Sequence, residues 1–312
     1  ELEIVIIPTS DLKQQTNLLM TGGPDSLDIL LSSSYSTIGE LYANGQIMPL
    51  DDLLASDGQG ILEQFKGSEY ALDCCRIEGQ LYALPAIAAW SSPNNYTMFA
   101  EVAQKAGVEF PEHVDTIDEL TDLLIACKKA NPEEYFIGGN NNITWWCKDI
   151  DNLADNNMLG VLVDPVNDPT VTNFFESDYF MNLLDNVKKW GENELIYPDS
   201  YVTVAARSPL RTRVVCGITH NGNNIREILN ELNVGQTYGA DMTGCEVGER
   251  LMTTGSVASQ PWHITSFCEH PDAAMRILNC LYTDPEVANL FMNGIEGKQY
   301  VVNENGQLAW PE

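Results

Sequence analysis

Apolar and polar residues along the chain follow two periods, one typical of strands and one typical of helices. Residues 3–7 form an apolar run that stops at Pro8, which predicts a buried strand. The pattern then predicts a helix over 11–20 and a second short strand over 27–31. Because strand, helix and strand follow within about thirty residues, we expect a βαβ unit with a parallel sheet.

Helical spacing and helix-end residues predict seven more helices. Thr116 and Glu119 form a capping box at the start of one of them. Phe180, Leu183, Leu184 and Val187 lie at i, i+3, i+4 and i+7, which predicts a buried stripe. The seven predicted helices are 37–43, 97–106, 116–130, 177–190, 225–232, 271–282 and 285–293.

Short apolar runs and Gly-containing turns predict the remaining strands. Strands are expected over 135–137, 214–218 and 251–256, and hairpins turn at Glu78-Gly79 and Asn305-Gly306. Strands and helices therefore alternate through the chain, which favours an α/β fold. Residues 86–95, rich in Ala, Ser, Pro and Asn, and residues 251–262 are the two segments where we expect the chain to cross between lobes.

The charge excludes several kinds of partner. The 312 residues include 45 acidic and 16 basic ones, for a formal net charge of -29. Such a chain repels nucleic acid and anionic lipid, which are bound by clustered Lys and Arg. No run of about 18 apolar residues is present, and the first residues lack the features of a secretory signal.

Cysteine spacing gives no sign of a metal site. The eight cysteines form no C-x-x-C motif and no Cys/His pairing with zinc spacing. Cys127 and Cys280 fall on the apolar sides of predicted helices, where a cysteine usually acts as a small buried residue. One or two disulfides are the alternative.

Motifs for catalysis are also missing. The chain contains no G-x-S-x-G elbow, H-E-x-x-H pair, Walker loop or G-x-G-x-x-G turn. Its four histidines are scattered, and acidic pairs are too common in this chain to single one out. We therefore expect no enzymatic activity, no cofactor and no bound metal.

Four segments carry a resemblance to a known family. Residues 11–30 resemble its early helix and strand, residues 43–54 its Gly-x-x-x-Pro-Leu-Asp turn, and residues 79–85 its Gly-x-x-Tyr-x-x-Pro strand. The most specific segment is 271–300, with two helices and the run Gly294-Ile295-Glu296-Gly297. On these residues the chain resembles the family 1 extracellular solute-binding proteins, in particular the lipoprotein-type members of anaerobic Gram-positive bacteria.

The resemblance implies a periplasmic-binding-protein-like α/β fold, with two α/β lobes joined by crossing strands and a ligand cleft between them. Lobe 1 is then residues 1–88 plus 256–312, and lobe 2 is residues 93–252. Family members continue beyond both ends of this chain, so lobe 1 is expected to be trimmed at both ends. The resemblance also implies an extracellular protein, anchored through a lipid-bearing cysteine that these residues lack.

Such a protein binds a small polar solute, delivers it to the permease subunits of an ABC importer and acts as a monomer. Tryptophan and asparagine in the predicted loops favour an oligosaccharide, because a sugar needs flat apolar faces and planar polar groups. The candidate ligand-binding residues are Ser10, Asp11, Ser33, Ser34, Tyr35, Trp90, Asn95, Trp145, Trp146, Asn221, Asn223 and Trp262. Trp145 and Trp146 are adjacent, so only one of them is expected to face the ligand.

Two alternatives stay open. A secreted carbohydrate-active hydrolase would use an acidic pair, and turnover of a polysaccharide would identify it. A sensor-linked or adhesive surface protein would bind a protein partner through a broad patch instead of a cleft.

Overall fold

The computed structural model describes residues 2–8, 11–23, 27–32, 37–91, 93–138, 146–147, 149–153, 158–200, 207–221, 224–303 and 306–311. The chain forms two compact units. Unit 1 comprises residues 1–88 and 257–312, and unit 2 comprises residues 89–256. In the described ranges, no helix combines the length and apolar composition needed to cross a bilayer.

Unit 1 is mostly helical. Its helices are α1 (Leu12–Leu19), α2 (Ile38–Ala43), α3 (Asp51–Asp57), α4 (Gln59–Gln64), α5 (Tyr70–Asp73), α12 (Pro271–Thr283) and α13 (Pro285–Asn293). Its strands are β1 (Ile29–Leu31), β2 (Arg76–Ile77), β3 (Gln80–Leu81), β11 (Trp262–Ile264), β12 (Val301–Val302) and β13 (Leu308–Ala309). Helix α12 packs on α3 and α4, so the second chain segment completes the core of the first.

Both predicted hairpins of unit 1 are confirmed. Strands β2 and β3 pair around Glu78 and Gly79, which both have positive φ, as a two-residue hairpin turn requires. Strands β12 and β13 pair around a turn that contains Gly306. These turns depend on local backbone preferences, which is why the pattern was sufficient to place them.

The predicted parallel βαβ unit is wrong. Strand β1 pairs antiparallel with β11, which comes from the other end of the chain. Residues 2–8 form no strand, and Ile6 is 88% exposed. An apolar run favours burial, but a strand also needs a neighbour for its backbone groups, and none of the described strands pairs with this segment.

Unit 2 contains a four-stranded sheet covered by helices. Its helices are α6 (Ala100–Ala106), α7 (Ile117–Ala130), α8 (Asp178–Glu192), α9 (Arg207–Arg211), α10 (Ile225–Val234) and α11 (Thr254–Val257), the last of which ends at the boundary with unit 1. Its strands are β4 (Asn94–Phe99), β5 (His113–Val114), β6 (Asp151–Asn152), β7 (Val161–Asp164), β8 (Asp168–Thr172), β9 (Gly217–Asn221) and β10 (Met242–Val247). A 3-10 helix spans Phe174–Glu176.

The main sheet has the order β5-β10-β4-β9, and β6, β7 and β8 form a separate antiparallel sheet. Strand β4 runs antiparallel to β10 and β9, whereas β5 runs parallel to β10. The core of this unit includes Tyr96, Leu124, Phe136 and Trp190, all of them nearly inaccessible. Gly217 is required in β9, because a Cβ there would lie 1.9 Å from the Tyr96 hydroxyl.

The central strand β4 was not predicted. Its last residues were assigned to a helix over 97–106, which in the structure begins only at Ala100. All six residues of β4 are buried. Because the strand is covered on both faces, it lacks the alternation that marks a half-exposed strand.

Two further predictions about unit 2 are corrected. Residues 251–256 do not form a strand, because a short helix begins at Thr254. The backbone amide and the hydroxyl of Thr254 both donate to Asp151. The buried face of α8 carries Leu183, Asn186 and Trp190, while Leu184 is partly exposed. The pattern gave no weight to a buried asparagine, although Asn186 is satisfied by hydrogen bonds.

The cysteines follow the predicted burial in part. Cys127 lies in the core of unit 2, as expected, and five others are buried as well. Cys280 is exposed on α12, so its predicted burial is wrong. The residues buried on that helix are Ala274, Met275 and Leu278.

The capping box predicted at the start of α7 is confirmed. The Thr116 hydroxyl accepts from the Glu119 amide, and the Glu119 carboxylate accepts from the amide of Asp115. Ser177 caps α8 and Asn224 caps α10 in the same way. Each cap involves residues within four positions of one another, so the sequence alone locates it.

Candidate functional site

One edge of the main sheet of unit 2 gathers the ends of all four strands. Val114, Val247, Asn94 and Asn221 lie in one row across the sheet. Strands β5, β10 and β9 end in this row, whereas β4 begins there. Helices α7 and α10 start just after β5 and β9. In open α/β sheets, the loops beyond the carboxyl ends of the strands form the ligand site.

A pocket of about 300 Å³ opens at this edge. The loops after β5 and β10, the start of α7 and the first turns of α8 form its walls. Its lining residues are Asn94, Asp115, Thr116, Ile117, Asp118, Trp146, Asp149, Tyr179, Asn182, Leu183, Val247 and Gly248.

Trp146 forms a supported aromatic wall of this pocket. Its carbonyl accepts from the Asn94 side-chain amide at 2.8 Å. Its ring lies 4.9 Å from that of Trp190, centroid to centroid. The Trp190 indole N–H in turn donates to the Thr121 hydroxyl at 2.8 Å. Trp146 is therefore held by a hydrogen bond to its backbone carbonyl and by the contact of its ring with Trp190.

Asp149 and Tyr179 form a partly buried hydrogen-bonded pair in the pocket. The Tyr179 hydroxyl donates to Asp149 Oδ1. Burial raises the pKa of Asp149, and the nearby Glu249 raises it further, whereas the bond from Tyr179 lowers it. Burial, followed by the charge of Asp149, raises the pKa of Tyr179 well above its usual value, so Tyr179 stays a donor. The pair thus presents a carboxylate whose orientation is fixed.

Gly248 allows the backbone of the β10 loop to approach this carboxylate. It has φ +75°, and a Cβ added there would lie 3.1 Å from Asp149 Oδ2. Any other residue would be strained and would crowd the carboxylate.

Asp118, at the start of α7, forms an ion pair with Lys189 of α8. Its Oδ1 lies 2.7 Å from Lys189 Nζ, and its Oδ2 accepts from Asn182 at 2.8 Å. The hydrogen bond from Lys189, followed by that from Asn182, lowers the pKa of Asp118. Asp115 lies at the more exposed rim, 3.2 Å from His113 Nε2. The pocket is therefore rich in hydrogen-bond acceptors beside one aromatic wall.

Two of the predicted ligand-binding residues lie at this edge. Trp146 lines the pocket, and Asn221 ends β9 in the same row as Asn94. Asn95 is fully buried in β4, where its side-chain amide donates to the Pro93 carbonyl, and its role in binding stays a prediction. Neighbouring strand residues point to opposite faces, so its neighbour Asn94 lines the pocket instead.

The other described candidates, Asp11, Trp90 and Trp262, are not among the residues that line the pocket. Trp90 is half-buried in unit 2. In unit 1, Trp262 is half-buried in β11 with its ring against Phe291, and Asp11 is exposed before α1. The remaining predicted positions lie outside the described residues: Ser10, Ser33, Ser34, Tyr35, Trp145 and Asn223.

Asp115, Asp118, Asp149, Tyr179 and Asn182 were missed. The capping box at Thr116 marks a helix that starts straight after a strand, and this signal could have identified the first two. Asp149 and Tyr179 are 30 positions apart, and their pairing has no local signature. Nowhere in the described residues do three or more His, Cys, Asp or Glu side chains form a group that could hold a metal ion.

Comparison with known proteins agrees with this architecture. The family model described as bacterial extracellular solute-binding protein matches residues 1–201. No curated protein sequence matches the chain.

Three solved structures are similar to this chain. The N-glycan transport solute binding protein NgtS of Streptococcus pneumoniae, in complex with Man1GlcNAc, superposes with a TM-score of 0.70 at 19% identity, covering 100% of this chain and 67% of that one. The alginate-binding protein AlgQ2 without calcium ion superposes with a TM-score of 0.67 at 18% identity, covering 96% of this chain and 63% of that one. The galacto-N-biose-/lacto-N-biose I-binding protein of Bifidobacterium longum superposes with a TM-score of 0.57 at 14% identity, covering 91% of this chain and 66% of that one.

These likenesses confirm the predicted periplasmic-binding-type α/β fold class. At identities of 14–19% they show the fold alone. The chain spans about two thirds of the length of these structures.

Proposed function

The chain belongs to the family of bacterial extracellular solute-binding proteins, and from this premise we propose that it binds an oligosaccharide and delivers it to the permease of an ABC importer. The pocket at the strand ends of unit 2 carries the proposal. It combines a supported tryptophan with fixed carboxylate and amide groups. That is the chemistry that a sugar ring with apolar faces and a rim of hydroxyls needs.

The ligands of the structural neighbours support the solute class. Their names state binding of an N-glycan fragment, of alginate and of lacto-N-biose, and the last belongs to an ABC transporter. The family binds solutes and does not transform them, so it favours this function over the hydrolase alternative. An extracellular location follows from the family, and lipid anchoring and a monomeric state belong to the proposal.

Binding in this proposal requires no chemical step. The Trp146 ring takes the C–H face of a sugar, and Asp149 accepts from a hydroxyl while Tyr179 keeps the carboxylate in place. Trp90 and Trp262 stay proposed as further contacts. A solute shifts the protein toward one conformation only through its higher affinity for that conformation.

A thermal-shift screen against neutral and charged oligosaccharides tests the proposal. A ligand at about 100 times its Kd should stabilise the folded protein by about 2.7 kcal/mol and raise its Tm. For each hit, Trp146→Ala should weaken binding at least about tenfold, because it removes the stacking face. Trp310→Ala is the matched control, since Trp310 is 87% exposed in unit 1.

Two results would count against this function. A screen in which oligosaccharides leave the Tm unchanged while another solute class raises it would overturn the solute assignment. Full affinity in the Trp146→Ala protein would overturn the assignment of the pocket.

A further inference from the structure

We propose that this pocket selects by charge: it takes saccharides without a carboxylate and rejects uronates of the same size. The inference rests on the proposed function and narrows its substrate class. It concerns unit 2 only, where all the lining residues lie.

The charges that line the pocket have one sign. Asp115, Asp118 and Asp149 contribute carboxylates, and the described lining residues include no lysine or arginine. Lys189 pairs with Asp118 but is not a lining residue itself. The Asp115 carboxylate lies 3.2 Å from His113 Nε2. The charge that the described lining residues present to a ligand is therefore negative.

Asp149 makes this field strong at the aromatic wall. It is half-buried, and the Tyr179 hydroxyl fixes its Oδ1. A second anion placed beside a poorly hydrated carboxylate is repelled far more strongly than in water. Recognition of a uronate would need a cation or a cluster of donors facing it, usually from arginine.

The same groups attract a neutral sugar. A hydroxyl donates to a carboxylate in a charge-assisted hydrogen bond, which is stronger than a bond between neutral groups. Asp149 thus favours a ligand with a hydroxyl at the position where it disfavours a carboxylate. The Trp146 ring accepts the C–H face of either ligand and does not discriminate between them.

Size-matched ligands that differ only at C6 test the inference by calorimetry. The pairs are β-1,4-mannotriose with β-1,4-trimannuronate, and cellotriose with its C6-oxidised counterpart. The neutral member of a pair should bind at least about tenfold tighter. Raising NaCl from about 0.02 M to about 0.5 M should strengthen uronate binding and leave the neutral sugar unchanged, because salt screens repulsion.

Variants connect the selectivity to Asp149. Asp149→Asn should bring the two affinities of a pair within about threefold, since the amide keeps its size and loses the charge. Asp185→Asn is the control: Asp185 is exposed on the same helix as Tyr179 and does not line the pocket. Its selectivity should equal that of the unmodified protein.

The outcomes separate the two proposals. A uronate bound as tightly as its neutral partner would overturn charge selection and leave oligosaccharide binding intact. If neither pair bound and the screen gave no saccharide, the function itself would fall. Lys148 lies outside the described residues, and uronate binding that Lys148→Ala abolishes would also count against the inference. The salt dependence supplies a test that requires no variant.

Discussion

His263 is fully buried in unit 1 and holds two segments together. Its Nδ1–H donates to the Tyr82 carbonyl at 3.0 Å, because a carbonyl can only accept. Its Nε2 then accepts from the Ser32 hydroxyl at 2.8 Å. Burial lowers the pKa of His263 to about 4, although the bond to Tyr82 works in the opposite direction. The neutral ring is therefore part of the folded state.

This histidine should make the protein less stable in acid. In the unfolded chain it takes up a proton below about pH 6.5, whereas in the folded protein it stays neutral down to about pH 4. The contribution of the neutral ring to the free energy of unfolding is complete above pH 6.5 and is lost as the pH falls toward 4, at about 1.4 kcal/mol per pH unit. Between about pH 7.5 and pH 5, the free energy of unfolding of the His263→Gln protein should therefore fall by about 2 kcal/mol less than that of the unmodified protein.

Urea denaturation at the two pH values measures this difference. His270→Gln is the control, since His270 is exposed at the start of α12. An equal pH dependence in the His263→Gln protein would show that the ring is not held neutral.

Two helices of unit 2 are joined by a buried polar network. The Thr121 hydroxyl on α7 donates to Asn186 Oδ1 on α8 at 2.6 Å and accepts from the Trp190 indole at 2.8 Å. All three side chains are inaccessible to solvent or nearly so. Because Trp190 supports Trp146, the network also fixes one wall of the pocket.

Removing the side-chain polar group of Thr121 or of Asn186 should destabilise the protein, and the two effects should not be additive. Thr121→Val and Asn186→Ala each leave a buried polar group without its partner, at a cost of about 2 kcal/mol. The double variant should be less destabilised than the sum of both, by about 1 kcal/mol or more. Chemical denaturation of the four proteins gives the coupling energy.

An exposed residue on the same helix supplies the control. Asn193→Ala, at the end of α8, should combine additively with Thr121→Val. If the destabilisations by Thr121→Val and Asn186→Ala were also additive, the two side chains would not be energetically coupled through the network.

At the scale of the molecule, the two units differ in how the chain builds them. Unit 2 is one continuous stretch, residues 89–256. Unit 1 needs both ends of the chain, because β11 pairs with β1 and α12 packs on α3 and α4. The connection between the segments of unit 1 is thus a whole folded unit.

This arrangement predicts different behaviour for fragments. Residues 89–256 expressed alone should fold, because their core is internal. Residues 1–88 alone should not, because their core lacks β11 and α12. Circular dichroism and dispersion in a two-dimensional NMR spectrum distinguish the two results, and a disordered 89–256 fragment would contradict the division. A mixture of residues 1–88 and 257–312, which together contain all of unit 1, is measured in the same way and compared with residues 1–88 alone.

The sequence by itself determined the local features and the family. Caps at Thr116, Ser177 and Asn224, the turns at Glu78-Gly79 and Gly306, and the last two long helices follow from residues a few positions apart. These features depend on backbone preferences and neighbouring hydrogen bonds, which a sequence states directly. Family motifs added the periplasmic-binding-type fold and the expectation of solute binding, which periodicity does not provide.

The tertiary structure alone decided which distant residues meet. It placed β11 beside β1 in antiparallel orientation, covered β4 on both faces, and capped α11 with Asp151. It also put Asn94 in the pocket and buried Asn95. Partners in these contacts are tens to hundreds of positions apart, and local propensity contains no information about them. The pocket, with Trp146 and Asp149 from one segment and Tyr179 from another, exists only once the chain has folded.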